Sequence, residues 1–252
     1  MSVNFFRRAK IAGRAFLDIA NWREVLPRAA TGKTVTEIRL RDGSIITAPP
    51  ENALWPHFSD VWYHFTYTKY CAIPAGSLVV DVGANVGVFS LFAARKARMV
   101  YSLEPASSNF ARLVANTSRA QNIVPLNMAC GGENGSASLD LSSDPVSFSL
   151  LTHSEKESET VEVVTLETLF DRLKITRCDF LKLDCEGAEF EIILDSEPSV
   201  MNRIRRIAME YHDHLSERFS YRDLLKKLES IGFRARAYNQ HETYGIIEAI
   251  RL

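Results

Sequence analysis

The chain has 252 residues, of which 46% are hydrophobic and 24% are charged, and its formal net charge at pH 7 is −1. This length and composition are typical of one α/β domain with a real core and an appendage. The near-neutral charge argues against a general attraction to nucleic acid or to an anionic membrane. Four cysteines without a Cys-x-x-Cys pair favour free thiols over disulfides or a zinc site. With no transmembrane run and no signal peptide in the sequence, we expect a cytoplasmic protein.

The N-terminal region is predicted to form helices and a hairpin. Residues 4–26 carry aromatic and aliphatic side chains among basic ones, which predicts one or two amphipathic helices that end before Pro27. Such helices pack on the domain or on a partner, and contact with a membrane surface is the alternative. Residues 35–48 alternate around an Asp-Gly dipeptide, which is a strong hairpin signal. The aromatic-rich residues 55–70 form either a packing layer or a wall of a ligand site.

The most informative stretch is residues 78–90, where a continuous apolar run ends in Asp81 and in a turn that contains Gly83 and Gly87. This run predicts a strand buried on both faces, and the helical spacing after it predicts a nucleotide-binding α/β unit. The Gly-x-x-x-Gly spacing differs from that of dinucleotide binders. A carboxylate at Asp81 would repel a pyrophosphate and suits a cationic group such as an ammonium or a sulfonium. An ordinary turn with a buried, helix-capping Asp81 is the alternative.

A second carboxylate supports a nucleoside site. The strand predicted over residues 99–103 ends in Glu104, about 20 residues after the glycine turn, which is the offset of a carboxylate that binds ribose hydroxyls. A solvated glutamate at a strand end is the alternative. Together, the Asp-x-Gly-x-x-x-Gly turn and Glu104 resemble the S-adenosylmethionine (SAM) site of class I methyltransferases. A third strand over residues 123–129 is expected to bring Asn127 and Ala129 to the edge of an adenine.

The remaining patterns predict the rest of an α/β sheet. Helices are expected over residues 107–122 and 216–230, and strands over 136–141, 159–166, 204–210, 233–238 and 244–250. The last two strands can form a closing hairpin. The Ser-rich residues 142–158, with His153 as a candidate functional residue, are predicted to form a loop that is either mobile or functional.

Three carboxylates crowd one strand-to-helix turn. The apolar strand of residues 180–183 brings Asp184 to the carboxyl edge of the sheet, where ligands of open α/β sheets bind, and Glu186 and Glu189 follow. Like charges so close disfavour joint ionisation, so each needs a partner or a raised pKa. The helix dipole explains Glu189 but explains Asp184, at a strand tip, less well.

These stretches carry a family resemblance. Residues 80–87, Leu103-Glu104-Pro105 and residues 181–189 resemble the FkbM-type SAM-dependent methyltransferases. The Asp-x-Glu-Gly-x-Glu turn is the distinguishing motif, and the resemblance covers roughly residues 35–212. It implies a Rossmann-like class I methyltransferase sheet of seven strands, the last antiparallel, with helices on both faces. We place this methyltransferase domain in residues 71–252, after an N-terminal helical and β-hairpin extension in residues 1–70.

The resemblance also implies an activity, O-methyl transfer from SAM to a hydroxyl of a sugar, a glycolipid or a polyketide-like small molecule. Asp184 and Glu186, followed by His212, are the candidates to remove the hydroxyl proton. The predicted cofactor-binding residues are Asp81, Gly83, Ala84, Asn85, Gly87, Glu104, Asn127 and Ala129. We assign no metal, and a mechanism in which the three carboxylates hold Mg²⁺ is the less favoured alternative, because one turn supplies few well-spread oxygen ligands.

Two other classes of function are weighed against this one. A nucleic-acid or protein methyltransferase is one, but the Asn/Asp-Pro-Pro-Tyr tetrapeptide of amino-methylating DNA enzymes is absent after the fourth strand, and the neutral charge also argues against nucleic acid. A SAM-binding scaffold without catalysis is the other, since a fold alone does not prove activity. The acceptor and the oligomeric state are left open.

Overall fold

The computed structural model describes residues 11–52, 54–140, 158–238 and 240–252. Most of the Ser-rich stretch, with His153, lies outside the described residues, as do residues 4–10 of the predicted N-terminal helices.

The chain begins with an extension that contains a β-hairpin, and strands and helices follow it. The extension contains α1 (residues 11–18), α2 (Trp22–Ala30), β1 (Glu37–Arg39), β2 (Ile45–Thr47), α3 (Leu54–Ser59) and a π-helical turn (Asp60–His64). Then come β3 (Leu78–Val82), α4 (Val88–Ala94), β4 (Met99–Leu103), α5 (Ser107–Thr117), β5 (Ile123–Leu126), β6 (Ala129–Cys130), β7 (Gly135–Asp140), β8 (Ser158–Val164) and α6 (Leu166–Arg172). The remainder is β9 (Phe180–Leu183), α7 (Glu189–Leu194), α8 (Pro198–Met201), β10 (Arg206–His212), a 3₁₀ turn (Asp213–Leu215), α9 (Tyr221–Ser230), β11 (Phe233–Tyr238) and β12 (Tyr244–Arg251).

A seven-stranded sheet forms the centre of the molecule, in the order β11-β12-β10-β9-β3-β4-β5. Strand β12 runs antiparallel to both of its neighbours, and the pairs from β10 to β5 are parallel. This confirms the predicted Rossmann-like class I methyltransferase sheet. Val82 pairs with both Leu103 and Leu183, so β3, β4 and β9 end level with one another. The residues that follow these strands therefore share one edge of the sheet.

Burial explains the apolar runs of the sequence. All five residues of β3 and all four of β9 are buried, because elements cover both faces of the sheet. One core cluster joins the N-terminal extension, α4 and one sheet face, and another joins α6 to α9 with the opposite face. The extension is thus packed onto the sheet by a continuous apolar core.

Several predicted boundaries differ from the structure. Helix α2 runs through Pro27 instead of ending before it, since Pro27 is exposed and water can satisfy the one carbonyl, that of Arg23, which loses its partner. Helix α5 ends at Thr117 rather than at residue 122, where the Asn122 amide instead donates to the carbonyls of Ala94 and Ala97, at 2.9 Å each.

Two further boundaries are set by side chains. Helix α9 begins at Tyr221 rather than at residue 216, because Ser220 and Asp223 form a reciprocal capping box. The predicted third strand is divided, since β5 ends at Leu126 and β6 pairs with β8 in a separate three-stranded sheet, β6-β8-β7. Strands β7 and β8, which pair antiparallel in that sheet, confirm that residues 136–141 and 159–166 contain strands.

The aromatic segment serves both of the roles considered for it. Phe58 and Trp62 are buried, with ring centroids 4.9 Å apart, and Trp62 also contacts Phe92 of α4. These rings form a packing layer between the extension and the sheet. Tyr67, further along, lines a cavity at the edge of the sheet.

Glu248 of β12 holds the segment that carries Tyr67. Its buried carboxylate accepts the main-chain N–H groups of Lys69 at 2.9 Å and Tyr70 at 2.8 Å, and the hydroxyl of Tyr238. A buried acceptor with three donors fixes the backbone next to it. The position of Tyr67 therefore depends on a contact made by the opposite end of the domain.

Replacing Glu248 with glutamine should lower the free energy of unfolding by about 1–3 kcal/mol, because an amide cannot satisfy the same three donors. Urea denaturation measures this loss. Glu242→Gln, at an exposed position of the loop before β12, is the matched control and should unfold like the wild type. Equal stability of the two variants would show that the carboxylate does not hold this segment.

Candidate functional site

A cavity of about 720 Å³ opens at the carboxyl edge of β3, β4, β9 and β10. Its wall combines the turn after β3, the ends of the three other strands and the N-terminal extension; among its residues are Asn52, Tyr67, Asn85, Glu104, Asp184 and Glu210. Ligand pockets in proteins commonly have this size, and the edge is where open α/β sheets bind ligands.

The glycine turn forms the floor of this cavity. Gly83 has a φ of +73°, and its N–H and that of Ala84 donate to the carbonyl of Leu103 at 3.0 and 2.8 Å. A Cβ on Gly83 would lie 1.8 Å from the carbonyl oxygen of Asp184. A side chain is therefore excluded, and the turn packs directly on the end of β9.

Glu104 lies at one end of the cavity. It is 4% exposed, and its carboxylate accepts the N–H groups of Asn85 at 2.8 Å and Ala106 at 3.0 Å. Burial raises the pKa of Glu104 to about 7, although these two N–H groups favour the charged form. The main chain thus holds a carboxylate that still has lone pairs for a ligand. The amide of Asn127 donates to the carbonyls of Glu104 and Pro105, so it fixes this turn from outside.

Asp81 lies beneath the floor. It is fully buried, and its Oδ1 lies 3.2 Å from Nζ of Lys182 while its Oδ2 accepts the hydroxyl of Ser90 at 2.6 Å. Nζ of Lys182 also donates to the carbonyl of Gly83 at 2.8 Å. Asp81 therefore contacts the turn through Lys182 and does not line the cavity.

Asp184 and Glu210 meet at the other end of the cavity. The hydroxyl of Tyr67 lies 2.8 Å from Oδ2 of Asp184 and 3.1 Å from Oε2 of Glu210. Burial opposes the charge of Asp184, but Lys182, at 3.5 Å, and His212 outweigh it and hold its pKa below the usual value. Burial, with the charge of Asp184, raises the pKa of Glu210 to about 7.

His212 is held by a fully buried glutamate. Oε1 of Glu189 accepts the N–H of His212 at 2.8 Å and faces its Nδ1 at 3.1 Å, while Nε2 lies 3.4 Å from Glu186. Burial disfavours the imidazolium, but Glu189 and then Glu186 raise the pKa of His212 to about 9. Burial raises the pKa of Glu186 to about 7. Glu189 thus fixes His212 in addition to lying at a helix start.

The structure brings most of the sequence-predicted residues to one cavity. The residues that line it are Gly83, Ala84, Asn85, Glu104, Ala129, Asp184, Glu186 and His212. The residues that do not are Asp81, Gly87 and Asn127. Gly87 instead packs on α5, since a Cβ there would lie 2.8 Å from Leu113.

Sequence reasoning missed Tyr67, Lys182 and Glu210. Lys182 interrupts the apolar strand β9, and Glu210 follows the apolar run from Ile207 to Met209, and this pattern is a signal that could have identified them. Tyr67 belongs to an aromatic segment in which nothing distinguishes it from the rings of the core.

Two cavity-lining amides carry polar atoms that are available for a ligand. Asn52 is 3% exposed, and neither its amide nitrogen nor its oxygen has a partner among the described residues. The side-chain oxygen of Asn85 is likewise buried and unpaired in that part of the chain. Buried polar groups are normally hydrogen-bonded, so these atoms fit a polar ligand in the cavity.

A divalent ion is a separate matter. Ligand atoms of Asp184, Glu210 and His212 lie within 4.8 Å of one another. However, Tyr67 contacts both carboxylates, Lys182 lies beside Asp184, and the pKa of about 9 keeps His212 protonated near neutrality. Lys182 and protonated His212 balance the negative charge of the two carboxylates, and we assign no metal to this cluster.

A comparison with known protein families identifies the family of this chain. The family described as the methyltransferase FkbM domain matches residues 81–235. The chain belongs to the FkbM methyltransferase family. The matched region begins at Asp81 and includes Glu104, the acidic turn after β9 and all of β10.

Two curated proteins are similar to this FkbM-family chain. The hexuronic acid methyltransferase AglP of Haloferax volcanii is 27% identical, with 52% of this chain and 54% of the relative covered. The AMB antimetabolite synthetase AmbE of Pseudomonas aeruginosa is 24% identical, with 56% of this chain and 9% of the relative covered. The chain thus spans about half of one relative and a small part of the other.

Solved structures of methyltransferases are also similar. The methyltransferase FkbM of Methylobacillus flagellatus has 15% identity and a TM-score of 0.49, with 76% of this chain and 47% of that chain covered. A Streptococcus mutans protein solved with S-adenosylhomocysteine (SAH) has 11% identity and a TM-score of 0.48, with 71% of this chain and 91% of that chain covered.

None of the helices in the described part of the chain has the length and apolarity needed to cross a bilayer.

Alanine at Gly83 should destabilise the fold more than alanine at Gly76. Both glycines have a φ near +70°, but a Cβ on Gly76 meets open space. Gly76→Ala should therefore cost about 1–2 kcal/mol from backbone strain alone. Gly83→Ala should cost about 1–3 kcal/mol more, because the end of β9 must move. Chemical denaturation of both variants measures the difference, and equal losses would contradict the close packing of the turn on Asp184.

Proposed function

We propose that the chain is a SAM-dependent O-methyltransferase that acts on a hydroxyl of a small molecule or glycan. The observation that carries this proposal is the placement of Glu104 and the Asp184–Glu210 cluster in one cavity. Glu104 follows β4, whereas Asp184 follows β9 and Glu210 lies in β10, so they are on opposite sides of β3. Two strand spacings, roughly 10 Å, separate Glu104 from Asp184. The floor around Gly83 therefore lies between Glu104, which we propose binds the ribose, and the Asp184–Glu210 cluster, which we propose accepts a proton.

The residues present fit the cofactor. Glu104 would accept hydrogen bonds from the ribose hydroxyls, and the turn from Gly83 to Asn85 would lie beneath the ligand. The unpaired amides of Asn52 and Asn85 offer both donors and acceptors for its polar groups. SAM, when bound, supplies a methyl group on a cationic sulfonium, and a cavity end rich in carboxylates favours such a charge. For Asp81, we propose that it supports the turn through Lys182.

The carboxylates suit a hydroxyl acceptor, since a hydroxyl must lose its proton when it is methylated. Asp184, Glu186 and Glu210 each line the cavity and offer oxygens for this proton. His212, with a pKa of about 9, is already protonated at neutral pH, which favours a role in stabilising negative charge. The same cavity-lining residues would align the acceptor oxygen with the methyl group.

A carbohydrate acceptor is supported by the printed name of AglP, a hexuronic acid methyltransferase. The net charge of −1 supports a small or glycan acceptor over nucleic acid. Phe16 and Leu17 of α1 are 48% and 68% exposed, which is compatible with a peripheral membrane contact through the N-terminal helix.

The proposed activity is tested by incubating the protein with methyl-labelled SAM and a panel of acceptors. Hexuronic acids, neutral sugars and small hydroxylated compounds should include at least one that accepts the label, with formation of SAH. SAM and SAH should each raise the melting temperature of the protein. Stabilisation without transfer to any acceptor would indicate a cofactor-binding scaffold, and no stabilisation would overturn the cofactor assignment.

Affinity for SAH should fall as the pH falls below about 7. Ribose hydroxyls donate to the ionised form of Glu104, whose pKa in the free protein is about 7, so protonation competes with binding. The expected loss approaches tenfold per pH unit below that pKa and vanishes above it. Calorimetric titration between pH 5.5 and 8.5 measures it.

Glu104→Gln should bind more weakly at pH 8 and should show a flatter pH dependence. Glu217→Gln, at an exposed position, is the control and should follow the wild type. An unchanged pH profile in Glu104→Gln would remove Glu104 from the ribose site.

A further inference from the structure

We propose that Glu210 is the catalytic base, and that Tyr67 and Asp184 position it and stabilise its protonated form. This inference rests on the proposed O-methyl transfer and names the group that takes the hydroxyl proton. Sequence reasoning assigned that task to Asp184, Glu186 or His212 and did not consider Glu210.

The strand register places the two carboxylates side by side. Met209 pairs with Leu183, so the next residues, Glu210 and Asp184, follow on adjacent parallel strands. The hydroxyl of Tyr67 lies between them, at 3.1 and 2.8 Å. Lys182 lies on the Asp184 side, 3.5 Å from its Oδ2. Both carboxylates therefore contact the same hydroxyl, but the positive charge of Lys182 lies on the side of Asp184.

Counting protons gives the direction of the hydrogen bonds. A tyrosine hydroxyl has one hydrogen to donate and lone pairs to accept. Asp184, beside the Lys182 ammonium, is the ionised partner, and it takes the hydrogen of Tyr67. A hydrogen bond between Tyr67 and Glu210 then requires a proton on Glu210. The network thus contains a place for one added proton, on the carboxyl of Glu210.

The other groups around Glu210 support this assignment. Glu210 is faced by Tyr67 from the extension, by Asp184 and Glu186 from the segment after β9, and by His212 of its own strand. Burial and the two anions favour its protonated form, while His212 opposes them, and the pKa is about 7. A base of this strength is most effective near neutral pH. Asp184, held ionised by Lys182, is a weaker base but a constant source of negative charge.

The step conserves atoms and charge. The acceptor O–H bond breaks and its proton passes to Oε2 of Glu210, the oxygen that faces Tyr67. The acceptor oxygen forms a bond to the methyl carbon, and the carbon–sulfur bond breaks with its electron pair staying on sulfur. The products are the methyl ether and SAH, with Glu210 neutral and hydrogen-bonded to Tyr67.

The first test measures protonation without any substrate. Protein labelled with ¹³C at the glutamate carboxyl carbons is titrated by NMR from pH 4 to 9. One signal with a midpoint near 7 should disappear in Glu210→Gln and should move to lower pH in Asp184→Asn, because the neighbouring negative charge is removed. If the signal lost in Glu210→Gln titrates near the ordinary glutamate value, the assignment of Glu210 is wrong.

The second test compares pH–rate profiles on an acceptor found in the panel above. Glu210→Gln should lower kcat/KM at pH 8 by about 100-fold or more. Asp184→Asn should lower it less, and the acid limb of its profile should shift to lower pH with the NMR midpoint. Glu229→Gln, exposed on α9, should match the wild type.

A reversed order, in which Asp184→Asn abolishes turnover and Glu210→Gln retains an acid limb near pH 7, would overturn the proposal. Failure of the proposed function looks different. There, SAM and SAH would not stabilise the protein or no acceptor would be methylated, whatever the NMR titration of Glu210.

Discussion

The buried ammonium of Lys182 is the interaction on which the rest of the site depends. It lies 3.2 Å from Asp81 and 3.5 Å from Asp184, and it donates to the carbonyl of Gly83. Burial opposes its charge, yet Asp81 and Asp184 outweigh burial and raise its pKa. A buried ion pair adds little net stability but is strongly disrupted when one partner is lost. Its main effect here is to lock the glycine turn and the acidic turn in one relative position.

This arrangement gives the cavity an unusual response to pH. Glu104, Glu186 and Glu210 all have pKa values raised to about 7 by burial, whereas Asp184 stays ionised. The charge of the cavity can therefore change by up to three units around neutrality. A cationic cofactor entering the cavity would shift all three equilibria toward ionisation, since each carboxylate gains a favourable neighbour.

The sequence predicted the parts of the fold that follow from local patterns. Local patterns predict the buried strand before Asp81, the glycine turn after it and the apolar strand before Asp184. Parallel pairing of these strands then brings their carboxyl ends to one edge of the sheet. Tyr67 and Glu210 could not be found in this way. Tyr67 is 117 and 143 positions from its two partners, so only the packed extension reveals the contact. Asp81 was predicted to bind the cofactor, and the pleat directs its side chain to Lys182 on the neighbouring strand, a contact that local patterns do not reveal.

The clamp made by Glu248 has a consequence for how the protein is made. Glu248 lies in β12, and it fastens the main chain at Lys69 and Tyr70, next to Tyr67. During synthesis, Tyr67 emerges from the ribosome long before the strand that holds its segment. The segment around Tyr67 is therefore fixed only when β12 pairs with β10. Gly245 and Ile246 of β12 also line the cavity, so its wall is complete only when this late strand of the sheet is in place.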